Sequence, residues 1–125
     1  MKKRIYYHDT DCGGVVYYAN YLKYLEESRV EFLEGLGVGL KNLAEQGILF
    51  VVARQEIDYK FPAVYADVIE VTSRIDESSA VRLNFAHEIF NQDRRLLVKA
   101  KTVLVCVGSD LKPRQIPGEI KKKIS

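Results

Sequence analysis

His8, Asp9, Thr10 and Asp11 gather an imidazole, two carboxylates and a hydroxyl in one short run, and Cys12, Gly13 and Gly14 follow directly. A carboxylate here can supply a nucleophile or a base. The paired glycines permit a tight turn and a close backbone approach to a ligand. Beyond them the pattern is helical: Tyr21, Leu22, Leu25, Phe32, Leu33 and Leu36 recur at helical spacing and would cover one face. The first N–H groups of a helix lack partners and carry the positive end of its dipole. A carboxylate delivered to such a helix start suits acyl-group chemistry, with the free N–H groups holding a developing oxyanion.

The neighbouring groups have plainer readings. Asp11 alone could be a turn residue ahead of glycine. Asp9 is read as holding the loop through local hydrogen bonds. His8, at a strand end, is read as orienting or exposed rather than as a base. Cys12 has acidic neighbours, so nothing in the sequence activates its thiol. His87 interrupts an apolar strand row and is read as hydrogen-bonded and partly buried. Tyr17, Tyr18, Tyr21 and Tyr24 are read as helix-face packing, not as a stacking platform for nucleic acid. Lys121, Lys122 and Lys123 form a solvated basic end.

The positioning elements follow from pattern and punctuation. Lys3 to His8 reads as a first strand. The long helix should start near Ala19–Asn20 and stop at Gly35 to Gly39, with further helical turns over Leu40 to Gln46. From Ile48 the period changes to two. Val51, Ala53, Ile57, Tyr59 and Phe61 alternate with Arg54, Glu56, Asp58 and Lys60, giving a half-buried strand that Pro62 breaks. Ile69 to Ile75, Val81 to Ile89 and Leu96 to Cys106 make three more, with turns expected at Asp76 to Ser79 and Asn91 to Asp93. Pro117 to Ser125 can form a terminal turn of helix. Three successive short connections predict an antiparallel meander, with the helix on one face only. The fold class is therefore α+β, a five-stranded antiparallel sheet curled around one long central helix.

The 125 residues fit one domain, 1–125, with an ordinary globular composition. A net charge of +2 argues for neither nucleic acid nor membrane as partner. Cys12 and Cys106 lie far apart, and no ligand spacing points to a metal. With no signal peptide and no transmembrane segment in the sequence, the expected compartment is the cytoplasm.

The run Asp9-Thr10-Asp11-Cys12-Gly13-Gly14-Val15-Val16-Tyr17-Tyr18-Ala19-Asn20-Tyr21-Leu22 resembles the active-site segment of the 4-hydroxybenzoyl-CoA thioesterase family of hotdog-fold proteins. In particular it is similar to the small bacterial acyl-CoA thioesterases associated with the Tol-Pal gene cluster. Tyr59 with Pro62, Ala63, Tyr65 and Asp67 resembles the family's second segment, and Arg114 with Ile116 and Pro117 its ending. The resemblance implies hydrolysis of an acyl-CoA thioester, with Asp11 as nucleophile or general base. It implies that the backbone N–H of Tyr18 polarises the thioester carbonyl, that Gly14 and Val15 lie close to the acyl group, and that Glu26 stands where hydroxybenzoyl-specific members carry an Asp. Some members grip the coenzyme A phosphates with a basic cluster at a turn that here reads Glu77-Ser78-Ser79. The remaining candidates for that grip are Lys60, Ser78, Ser79 and Arg82.

By the same resemblance the protein should be a homodimer or homotetramer with sites at the subunit boundary. No cofactor is expected beyond the coenzyme A of the substrate, although an acyl carrier protein could replace it. Two alternatives keep the fold: a dehydratase acting on a hydroxyacyl thioester, which would use His8 with an acid, and a non-enzymatic acyl-binding protein.

Overall fold

Residues Asn20–Gly35 form the long helix, α1, in the computed structural model, which describes residues 1–125. The chain leaves α1 at the glycines as expected. Gly37 sits at φ +83°, and the N–H groups of Gly37 and Val38 return to Glu34 O and Leu33 O at 2.9 and 2.8 Å. A side chain would disfavour that left-handed turn. A short helix, α2 (Leu40–Glu45), follows, and α3 (Gly118–Ile124) closes the chain.

The strands are β1 (Lys2–Arg4), β2 (Leu49–Tyr59), β3 (Val68–Ser78), β4 (Arg82–Phe90) and β5 (Leu96–Val107), in one antiparallel sheet of order β1-β3-β4-β5-β2. The α+β class and the five-stranded sheet around a central helix stand. The full meander does not: only β3, β4 and β5 follow one another, while β2 pairs with β5. The link between β2 and β3 is pinned across the sheet end instead of folding back. Lys60 and Phe61 N–H both reach Leu97 O, Ala63 N–H reaches the Tyr21 hydroxyl, and Ala63 O accepts from Val16 N–H.

Two boundaries move for local reasons. The first strand stops at Arg4, because the Asp9 carboxylate takes the Tyr6 N–H and folds Tyr7–Asp9 into a 3-10 turn. The turn expected at Asp76 to Ser79 lies later. A register shift between Ile75 and Glu77 absorbs Asp76, so β3 runs on to Ser78 and the reversal is closed by Ser79 N–H on Arg82 O.

The buried stripe of α1 also differs from the expected one. Tyr21, Tyr24, Leu25, Ser28, Arg29 and Leu33 are buried, whereas Leu22 and Leu36 are largely exposed. The apolar core accordingly falls into two parts. One surrounds Tyr24, Leu25, Ile69 and Ile89 near the helix start, and the other surrounds Leu33, Leu83, Phe85 and Cys106 near its end. Between them lie four buried polar side chains, Ser28, Arg29, His87 and Thr102.

Candidate active site

The Asp-Gly segment is a closed loop seated on the start of α1. Asp11 N–H bonds Val15 O at 2.9 Å, and Gly14 N–H bonds Asp11 O at 3.1 Å with Gly14 at φ +80°. One Asp11 carboxylate oxygen accepts the Gly13 N–H at 2.8 Å, a side-chain turn typical of aspartate. A Cβ on Gly13 would stand 3.2 Å from that oxygen, so glycine leaves the carboxylate room. The second oxygen has no partner in the protein, and the residue is exposed. Gly14 is exposed beside it, and Val15, half-buried, bridges to Val64 of the β2–β3 link.

Asp9 holds this loop, as its sequence reading expects. It is 6% exposed, and its carboxylate accepts from Tyr6 N–H at 2.9 Å and from the Tyr24 hydroxyl at 2.8 Å. Its backbone oxygen accepts from Tyr17 N–H and from the Asn20 amide, both at 2.9 Å. Burial works against the Asp9 charge, but the two hydrogen bonds, with His8 and Lys3 nearby, hold its carboxyl below the ordinary aspartate value. Burial and the same carboxylate push the Tyr24 hydroxyl well above the ordinary tyrosine value. His8 is exposed, with Nδ1 4.0 Å from an Asp9 oxygen already taken by Tyr24, so the two form no working acid–imidazole pair. Cys12 is exposed and Cys106 buried, both as free thiols.

Ala19 caps α1 without a side-chain hydrogen bond. The backbone N–H of Tyr18, just ahead of it, makes no hydrogen bond within the chain. Tyr59, at the end of β2, donates its hydroxyl to Tyr18 O at 3.2 Å and sets its ring edge-on to Tyr18. The loop therefore presents a free carboxylate oxygen and a free N–H dipole at one helix start, on two exposed residues. That pairing can attack, or activate water against, a carbonyl whose oxygen the N–H holds.

Glu26 lies two turns further along α1. With Arg29, Val30, Leu33, Leu40, Phe50, Val52 and Leu104 it lines a groove of about 280 Å³ between the helix and β2. Beneath the groove runs a chain of polar groups that sequence reasoning largely missed. Thr102 donates to Gln55 Oε1 at 2.7 Å, so His87 Nε2, 3.3 Å from the Thr102 oxygen, carries the ring proton; Nδ1 then accepts from Ser73, 2.9 Å away. Ser73 in turn lies 2.6 Å from Ser28. Burial and the nearby Arg29 charge push His87 down to about 4, so it is neutral at ordinary pH. His87 is thus the hydrogen-bonded residue expected, although fully buried. Ser28 and Arg29, falling in phase with Leu25 and Leu33, were the available signal for the rest.

The four candidates for phosphate contact are not brought together. Lys60 bonds Leu97 at the start of β5, beside the Asp11 loop, whereas Arg82 is paired with Val105 near its end. Eight residues of strand separate those levels, roughly 26 Å. Ser78 and Ser79 share the Arg82 end and are engaged by Lys121, which donates to Ser79 O at 2.6 Å and Ser78 Oγ at 3.3 Å. No cluster of three or more His, Cys, Asp or Glu side chains with metal-binding geometry occurs.

Comparison with known proteins agrees with this architecture. Residues 6–124 match the model of the thioesterase-like superfamily. The Escherichia coli protein named acyl-CoA thioester hydrolase YbgC is 36% identical over 118 residues, covering 94% of this chain and 88% of its own. The acyl-CoA thioesterase YbgC of Haemophilus influenzae is also 36% identical, with the same shares covered. Among solved structures, a 1,4-dihydroxy-2-naphthoyl-CoA thioesterase from Synechocystis superposes with a TM-score of 0.91 at 28% identity, over 99% of this chain and 93% of that one. A carboxylate loop on an open helix start, a curled five-stranded sheet and a family match over nearly the whole chain lead to one placement: this protein belongs to the thioesterase-like superfamily, with the hotdog fold.

Proposed function

We infer that the chain hydrolyses an acyl-coenzyme A thioester to the free acid and coenzyme A. The observation that carries this is the free oxygen of Asp11 on the same loop as the unbonded Tyr18 N–H. In the proposed reaction the thioester oxygen is held by Tyr18 N–H, with Gly14 and Val15 alongside the acyl carbon. The Asp11 carboxylate either adds to that carbon, expelling the thiolate and leaving an anhydride for water to open, or takes a proton from the water that adds. Both routes use a carboxylate, a backbone dipole and water, with coenzyme A entering as part of the substrate.

Asp11→Asn tests this directly. The amide oxygen can keep the Gly13 hydrogen bond, so fold and loop should survive. Loss of a positioned base or nucleophile should lower kcat by roughly 10²–10⁴, measured as thiol release. Cys12→Ala should be nearly silent. Normal turnover by Asp11→Asn with loss in Cys12→Ala would move the chemistry to the thiol.

We further propose that two copies pair through β2. Its outer edge is unpaired, and Val51, Val52 and Tyr59 on it are 39%, 52% and 50% exposed. Antiparallel pairing there would set the Arg82 end of one copy beside the Asp11 end of the other, which reconciles Lys60 and Arg82 with one coenzyme. A homotetramer then needs a second contact, and light scattering giving a monomer at micromolar concentration would reject the pairing. No helix is long and apolar enough to cross a membrane. The free thiols agree with a cytoplasmic setting, in which coenzyme A or an acyl carrier protein could present the acyl group.

A further inference from the structure

Arg29 is 8% exposed, and no carboxylate lies within ion-pair distance of it. Its single side-chain hydrogen bond is a long one, from Nη1 to the Thr102 oxygen at 3.4 Å. The imidazole beyond Thr102 is neutral, so the polar layer between the two halves of the core holds one positive charge and no negative one. A guanidinium carries five N–H donors in a planar fork, and most of them have no acceptor here. These donors are not sealed from solvent, since the Asn84 side-chain oxygen alone is both buried and without a partner, so they face the groove and can take an entering anion. The same side chain lines the apolar groove beside α1, together with Val30, Leu33, Phe50 and Val52.

Resting on the thioesterase reading above, we propose that Arg29 is a specificity-determining residue that selects acyl groups bearing a carboxylate at the end remote from the thioester. The apolar walls take the methylene chain, and the guanidinium fork takes the two carboxylate oxygens. Glu26 stands on the same wall, but it is exposed and its charge is screened by solvent. Arg29, 8% exposed where it lines the groove, is screened less than Glu26, so the carboxylate responds mainly to the guanidinium. A chain ending in methyl meets the same walls and leaves the cation unpaired.

The test uses non-hydrolysable S-alkyl coenzyme A thioethers in pairs of equal chain length, one ending in methyl and one in carboxylate. Binding to the full chain is measured by titration calorimetry across a panel of lengths. Wild-type protein should bind the carboxylate-ended member roughly ten- to hundredfold more tightly at the length that reaches Arg29. Arg29→Met keeps the stem volume and should bring the pair to parity by weakening the carboxylate-ended member. Glu26→Gln should tighten the carboxylate-ended member. Equal affinities in the wild type at every length would overturn the proposal. So would equal losses for both ligands in Arg29→Met, and a shift of that variant to monomer in light scattering would then assign the counter-charge to a second copy. Thiol release from the matching thioesters is read in parallel. A binding preference without any hydrolysis would reject the thioesterase reading and leave the Arg29 site standing.

Discussion

Replacing Asp9 by Asn separates what its charge does from what its shape does. The carboxylate is almost fully enclosed and accepts from Tyr6 N–H at 2.9 Å and Tyr24 OH at 2.8 Å. An amide can keep both contacts, since its oxygen accepts from Tyr6 and its NH₂ donates to the Tyr24 oxygen once that hydroxyl rotates. What disappears is charge assistance, about 1 kcal/mol for each bond, or about 2 kcal/mol in all at neutral pH. For a chain of this size that lowers the melting temperature by roughly 6–10 °C. Because the folded-state value of Asp9 is depressed, its contribution is present above the ordinary aspartate value of 3.8 and is lost as pH falls through the depressed value. Protonated Asp9 is nearly isosteric with Asn, so the gap between variants should close in acid. Urea unfolding at pH 7 and in steps below pH 3.8 measures this, with kcat followed alongside. Turnover should stay near wild type in Asp9→Asn, because the loop contacts survive, and fall in Asp9→Ala, where Tyr6 N–H and Tyr24 OH are stranded. A stability gap that does not change with pH would refute the charge argument.

His87 should add a separate acid transition. Its folded value of about 4 lies below the ordinary 6.5, so its contribution is complete above 6.5 and lost as pH falls toward 4. The span is about 3 kcal/mol, and it should be missing from His87→Leu in the same urea series. For the coenzyme, Lys60→Glu and Arg82→Glu should each raise KM for acyl-CoA more than they lower kcat, as uniform binding predicts. An unchanged KM in Arg82→Glu would remove the far sheet end from the proposed two-copy site.

Local patterns carried much of this structure. The helix start near Asn20, its glycine stop, the return of short helix at Leu40 and the reversal at Asn91 to Asp93 are all written in neighbouring residues. Asp11, Gly14 and Tyr18 do share one loop, because they are close in the chain. Partnership between strands was not legible in the same way. A link as short as 60–67 serves a hairpin or a crossing equally well, and the crossing depends on the Tyr21 hydroxyl and Val16 N–H, which belong to another part of the sequence. Lys60 and Arg82 were grouped by charge, and the strand order then put them at opposite ends. Arg29 was hidden for a related reason. A helix stripe is read by its apolar members, and a polar residue in phase has meaning only when the sheet beneath it is known to carry Thr102 and His87.

That polar layer also bears on how the site keeps its shape. β2 is an edge strand with exposed residues on both faces, so hydrophobic alternation specifies its register against β5 only weakly. Two features fix it. A bulge between Val52 and Arg54 allows a single phase change, and Gln55 must meet the Thr102 hydroxyl at 2.7 Å for the buried chain through His87 to be satisfied. A slip by one residue would turn Gln55 to the outer face and leave Thr102 and His87 without their outlet, a cost that the exposed valines could not offset. Held in this register, Tyr59 ends β2 opposite Val98 and reaches Tyr18 O at 3.2 Å. The backbone group next to the proposed oxyanion donor is therefore anchored by a strand whose position is set by a polar contact in the core, four residues away along β2.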